Sequence, residues 1–158
     1  MTQGSTAAPP CIGDVRLDRV VEALPTGFET MRSEALAEGY RVLERLATDW
    51  ASGALRFTNP GEMLLAASSD GVLAGIGGVT VDPAFPDALR MRRFYIRRAF
   101  RQSGIGQRLA AAFLGLALAR GCPVTVNAAP GSAAFWESLG FLPDERDGHT
   151  HLLGASPG

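Results

Sequence analysis

The spacing of hydrophobic and polar positions changes several times along the chain, and each change marks an element. Residues 15–20 alternate, Val15-Arg16-Leu17-Asp18-Arg19-Val20, which predicts a first strand ended by Pro25. Residues 28–38 and 40–50 then take helical spacing. In the second stretch Val42, Leu43, Leu46, Ala47 and Trp50 share a face, with Gly39 dividing the two helices and Gly53 ending the second. Apolar runs at 63–67 and 72–81 flank Ser68-Ser69-Asp70-Gly71, and an Asp-Gly pair in that place predicts a tight hairpin. Gly75, Gly77 and Gly78 inside the later run predict a bulge or a close approach by another backbone or a ligand.

After a loop at 82–87 comes a strand at 88–96 and a long apolar helix at 104–119. Ile105, Leu109, Ala112, Phe113, Leu116 and Ala119 recur at helical spacing there, and small apolar residues on its other faces predict burial on two sides. Gly121 ends it. Val124-Thr125-Val126 reads as a buried strand, and 132–139 as a short helix capped by Ser132 and stopped by Gly140. Residues 141–142 and 150–153 read as short final strands. The order β, α, α, β, β, β, α, β, α, β, β predicts an α/β (α+β) fold, a mixed sheet with helices on its faces.

A chain of 158 residues is the size of one domain, expected at 12–153 between an N-terminal tail at 1–11, read as disordered, and a C-terminal tail at 154–158. The opening MTQGSTAAPP has neither the basic start nor the apolar core of a signal peptide. No run approaches the ~20 apolar residues that span a bilayer. A cytoplasmic protein without a membrane partner is expected. Cys11 and Cys122 form neither a disulfide framework nor a metal-ligand spacing, so no metal is expected.

The net charge of −1 argues against a nucleic-acid partner. The distribution of charge says more. All 15 basic side chains are arginine, and Arg90, Arg92, Arg93, Arg97, Arg98 and Arg101 crowd one short stretch. Such a cluster fits a local anionic ligand or an arginine-rich solvated strand edge. It leads into Arg101-Gln102-Ser103-Gly104-Ile105-Gly106 and the long helix. A helix start leaves backbone N–H groups unpaired and carries partial positive charge, which makes an anion site. Gly104 and Gly106 let phosphate oxygens approach, and Arg98 and Arg101 can add charge-assisted bonds. The same glycines also serve a tight strand-to-helix turn with no ligand. A Walker A loop is excluded because lysine is absent. A dinucleotide fingerprint is excluded because Leu109 stands where its third glycine would be.

This loop resembles the Q/R-x-x-G-x-G/A signature of the GNAT superfamily of N-acetyltransferases at Arg101, Gly104 and Gly106. Residues 94–101, Phe-Tyr-Ile-Arg-Arg-Ala-Phe-Arg, resemble that family's fourth strand and loop entry. Residues 134–141, Ala-Phe-Trp-Glu-Ser-Leu-Gly-Phe, resemble its A-x-x-F/Y-Y-x-x-x-G-F segment. The resemblance implies a mostly antiparallel sheet of about six to seven strands, with helices on both faces and a splayed central strand pair. It implies acetyl-CoA as co-substrate, an acetyl group passed to a primary amine by direct attack in a ternary complex, and leaves a homodimer open. By similarity the backbone of Phe94 and Ile96, with Tyr95 between them, flanks the pantetheine. Arg101, Gln102, Ser103, Gly104, Ile105, Gly106 and Gln107 hold the pyrophosphate, and Asn127 and Phe135 lie along the arm.

The sequence departs from the family pattern at both proton-transfer positions. Trp136 stands where a tyrosine usually protonates the leaving thiolate. An indole N–H donates but is no acid near neutral pH, so Trp136 shapes the channel or is a core aromatic; Tyr95 is a replacement donor. Arg90, Arg92 and Arg93 occupy the strand that often carries a glutamate base. Alternation predicts Arg90 and Arg92 on one face and Arg93 with Tyr95 on the other. Arg92 is a candidate for an acidic acceptor, or pairs with Glu34, Glu38 or Asp87. Glu34 and Glu38 share a helix face; Glu38 is a candidate base and both are candidate amine-binding carboxylates, a solvated face being the alternative. His149, on the same side of the last strand as His151, is a further candidate near the acceptor. The small-molecule amine remains unspecified, with a protein N-terminus or lysine as the other acceptor class and a non-catalytic acyl-CoA-binding module as the rival function.

Overall fold

A computed structural model describes residues 14–154; the expectations for residues 1–13, Cys11 included, and for 155–158 lie outside the described residues. The elements are β1 Val15–Arg19, α1 Phe28–Ala37, α2 Val42–Ser52, β2 Met63–Ser69, β3 Val72–Val81, β4 Leu89–Ile96, α3 Ile105–Arg120, β5 Val124–Val126, α4 Ala133–Ser138, β6 Leu142–Arg146 and β7 His149–Leu153. They form a seven-stranded sheet in the order β1-β2-β3-β4-β5-β7-β6. β1/β2, β5/β7 and β7/β6 are antiparallel. β4 and β5 run parallel, and their ladder comprises Leu89↔Val124 and Arg90↔Thr125, confined to the start of β4.

Contacts divide the chain into two compact units. The first holds the residues up to Arg56 with Leu64–Gly77 and Arg93–Leu109. Its β2–β3 hairpin turns through Asp70 and Gly71, both at positive φ (51° and 83°), the two-residue geometry that Asp-Gly favours. Ala67, Ala74 and Ile105 are buried together, with Val15, Leu17, Ile96 and Phe100 packed against them. Leu43, Leu46 and Trp50 bury one face of α2, which ends at Gly53 in the left-handed conformation. The β3 glycines mark a close approach: a Cβ on Gly75 would lie 2.9 Å from the Tyr95 carbonyl oxygen, and one on Gly77 would lie 2.7 Å from the Phe94 ring.

The second unit holds Phe57–Met63, Gly78–Arg92 and the chain from Ala110. The final hairpin is longer than the alternation predicted, and its last strand β7 lies between β5 and β6. Pro143, Asp144 and the Asp147-Gly148 turn mask the β6 pattern in the sequence. Asp82 is fully buried in this unit because it accepts bonds from the Thr125 hydroxyl (2.7 Å), the Ala84 N–H (2.8 Å) and the Arg90 guanidinium (3.3 Å). Burial opposes its ionisation, but these donors outweigh it and keep its carboxyl below the ordinary range.

Two local expectations are corrected. Ser132 stands at the start of α4, but its hydroxyl donates back to the Ala129 carbonyl at 2.8 Å and makes no cap bond to the helix. α3 buries a single narrow stripe, Ile105, Leu109, Ala110, Phe113 and Ala117; Ala119 is exposed and Leu118 is 82% exposed. The helical spacing found Ile105, Leu109 and Phe113 on the buried stripe, but the small apolar side chains elsewhere on the helix suggested a second buried side that the structure lacks.

Candidate functional site

The site in the first unit starts within β4. Arg93 sits at φ 55°, a left-handed conformation uncommon for a residue with a Cβ and a bend in an otherwise extended strand. Its Nη2 donates to Asp49 Oδ2 on α2 at 2.7 Å. Phe94, Tyr95 and Ile96 follow, and a 3-10 turn at Arg98–Phe100 leads to the loop. Gln102 (φ 62°) and Gly104 (φ 90°) both take left-handed conformations, and the Ser103 hydroxyl donates to the Phe100 carbonyl at 2.5 Å. The first bond inside α3 runs from Arg108 N–H to Gly104 O, 3.0 Å. The N–H groups of Ile105, Gly106 and Gln107 precede it and have no acceptor within the helix. A side chain at Gly104 would meet almost nothing, its nearest neighbour being Gln107 Oε1 at 3.9 Å. The loop therefore presents donors at the positive end of a helix with open space before them, a geometry suited to an anion.

A charge network braces this loop against α1. Glu34 and Glu38, one turn apart, meet Arg97 and Arg101. Arg97 donates to both Glu34 oxygens at 2.8 Å and to the Leu73 carbonyl at 2.7 Å. Arg101 pairs with Glu38 at 2.8 Å, gives its Nε to the Ile96 carbonyl at 2.9 Å and stacks over the Tyr95 ring. The buried Tyr95 hydroxyl donates to Glu38 Oε2 at 2.5 Å. Hydrogen bonds from Arg97 hold the Glu34 carboxyl below its ordinary range. Burial pushes Glu38 up, but Arg101 and Tyr95 outweigh it and leave it below its ordinary range. Burial, and then the bond to Glu38, push the Tyr95 phenol well above its usual value. Glu38 is thus a stabilised anion and a weak base, and Tyr95 a reluctant acid.

The remaining candidates lie in the second unit. Trp136 is buried between Phe135 and Phe141, edge-on to both at 4.9 and 5.5 Å. Asn127 is exposed just beyond β5. Arg92 donates to the Thr80 hydroxyl at 3.2 Å, and Arg90 pairs with Asp82, not Asp87. His149 and His151 are both buried on β7 and each meets a carboxylate, Asp144 and Glu137, at 2.9 Å. The first unit thus unites Glu34, Glu38, Tyr95 and the loop, while Arg92, Trp136 and the histidines belong to other clusters. Asp49 and the backbone of Arg93 escaped the sequence reading: nothing in a strand pattern signals a left-handed arginine. Among the described residues no group of His, Cys, Asp and Glu could hold a metal ion, and no helix is long and apolar enough to cross a membrane.

The sequence profile of the acetyltransferase (GNAT) family matches residues 27–141. This chain belongs to the GNAT family. That span contains the bent β4, the donor-lined loop and α4. No curated protein matches the sequence. Solved structures share the GNAT fold. A protein from Exiguobacterium sp. 255-15 assigned as an acetyltransferase superposes with a TM-score of 0.80 at 22% identity, over 89% of this chain and 93% of that one. A GNAT protein from Desulfovibrio desulfuricans gives 0.67 at 20% identity, over 89% and 99%. A protein from Salmonella typhimurium assigned as an acetyltransferase, solved with acetyl-CoA, gives 0.57 at 16% identity, over 88% and 90%.

Proposed function

We propose that this GNAT protein transfers an acetyl group from acetyl-CoA to the primary amine of a small molecule, by direct attack within a ternary complex. The observation that carries this reading is the start of α3, where unpaired N–H groups follow Gln102 and Gly104 in left-handed conformations. The amides of residues 102–107 would hold the diphosphate, and the backbone of Phe94 and Ile96 would align the pantetheine and thioester. A backbone N–H aimed at the thioester oxygen would stabilise its developing negative charge. The Arg101 Nε already donates to the Ile96 carbonyl, so a pantetheine donor would use that oxygen's second lone pair or displace Arg101. Asn127 and Phe135 are assigned to the arm by resemblance.

Tyr95 and Glu38 satisfy each other, and we assign them to bracing the loop. The amine would then react as the fraction already neutral: its nitrogen attacks the thioester carbon, the C–S bond breaks, and the proton lost from that nitrogen passes through water to the leaving CoA thiolate. Trp136 donates but does not ionise. A second reading, a non-catalytic acyl-CoA-binding module, is favoured by this mutual locking and by Trp136 in the family's tyrosine position. A free-thiol release assay with acetyl-CoA and a panel of amines separates them. Turnover with any small amine supports transfer; calorimetric binding of acetyl-CoA with no thiol release across the panel supports the module.

A further inference from the structure

An open groove of about 370 Å³ in the first unit is lined by Arg41, Glu44, Arg45, Thr48, Asp49 and Arg93. Five of these recur on α2 and its leading residue at helical spacing, so they form one stripe. Each of its acidic members is paired with an arginine, and Glu44 shares its partner Arg32 with Glu29, at 3.3 Å. Arg32 grips Glu44 with two bonds, 2.7 and 3.0 Å, and Arg93 holds Asp49 at 2.7 Å. Among the described residues neither Arg41 nor Arg45 has a carboxylate partner at ion-pair distance, and both are exposed. The groove therefore has an excess of positive charge, with three arginines against two carboxylates, and two of those arginines are exposed.

A second observation concerns Arg93, which lines the groove. The Arg93 Nε is buried and donates to nothing, although a buried donor left unsatisfied is destabilising. The same residue holds a left-handed backbone within a strand, the kind of local strain that structures retain where a site requires it. Guanidinium groups match carboxylate and phosphate oxygens with paired donors.

We infer that this groove is an anion-recognising subsite that selects acceptor amines bearing a carboxylate or a phosphate. This deepens the proposed transfer reaction and rests on it. Arg93 immediately precedes the Phe94–Ile96 segment assigned to the thioester. At about 3.3 Å per strand residue, the segment lies about 3–10 Å along the chain from Arg93, a span that a small amine with a terminal carboxylate or phosphate can bridge.

The test compares kcat/KM for matched amines, γ-aminobutyrate against γ-aminobutyramide and O-phosphoethanolamine against ethanolamine, in the native chain and in the Arg41→Ala/Arg45→Ala variant. Acetyl-CoA affinity by calorimetry reports that the variant is folded. The expected result is at least a tenfold preference for one or both acidic members that collapses toward unity in the variant; the two pairs tell carboxylate from phosphate. Equal use of both members of each pair, or a preference kept by the variant, overturns the subsite. If acetyl-CoA binds but no amine turns over, the transfer reading fails separately. The groove is then judged by titrating inorganic phosphate while following the Nε resonances of Arg41 and Arg45. Shifts of both support an anion site, and no shift overturns it.

Discussion

The Tyr95 hydroxyl donates to Glu38 Oε2 at 2.5 Å, and the same carboxylate holds Arg101 at 2.8 Å. One residue at the end of α1 thereby fixes β4 and the mouth of the α3 loop together. Removing the phenol oxygen leaves Glu38 paired with Arg101, so Tyr95→Phe should cost about 1.5–3 kcal/mol of stability, the scale of a hydrogen bond to a charged group. Its kcat should fall less than tenfold with an unchanged pH profile. A loss of a hundredfold or more, typical of a missing general acid, would make Tyr95 the proton donor after all.

Glu34 and Glu38 have depressed carboxyl pKa values in the folded chain. A depressed carboxyl stabilises the fold above its unfolded pKa, and that contribution is lost as pH falls through the folded value. Urea midpoints should therefore be flat from neutrality down to about pH 5 and drop below the ordinary glutamate value of about 4.3. The Glu34→Gln/Glu38→Gln variant should show a shallower acid limb. Glu34 is 40% exposed, so the effect comes mostly from Glu38. An identical acid limb in the variant would contradict the assignment.

Gly104 carries a positive φ of 90° and faces open space. Gly104→Asp places a negative charge before the unpaired amides and strains the turn. The acetyl-CoA dissociation constant should rise at least tenfold, about 1.4 kcal/mol, by calorimetry on a variant whose thermal melt confirms folding. Unchanged affinity would remove the diphosphate from this loop.

Gly75 has no room for a methyl group: the Tyr95 carbonyl oxygen would be 2.9 Å away, and backbone cannot swing aside as a side chain does. Gly75→Ala should destabilise the chain by about 1–3 kcal/mol, as overpacking does, read from urea unfolding. Gly71→Ala at the hairpin turn meets no neighbour and should cost only its positive-φ strain.

Periodicity was enough to read most of this architecture. The Asp70-Gly71 turn, the glycine ends of α2 and α4 and the exact span of β3 all follow from local rules, because each is dictated by neighbours in sequence. The donor-lined start of α3 was legible for the same reason: strand, glycines and apolar helix are contiguous. Pairings between distant segments were not. Sequence spacing put Glu34 and Glu38 on one face but could not match them to Arg97 and Arg101, nor point to Asp82 as the partner of Arg90. The left-handed Arg93 and the placement of β7 between β5 and β6 depend on tertiary contacts that no local pattern encodes.

If the first amides of α3 grip the diphosphate of acetyl-CoA, their backbone amide resonances report on it directly. On titration with acetyl-CoA, the amides of Gln102 to Gln107 should show the largest shifts in the chain, and Gly104→Asp should abolish them. Saturable binding that leaves those resonances unmoved while others shift would contradict the account.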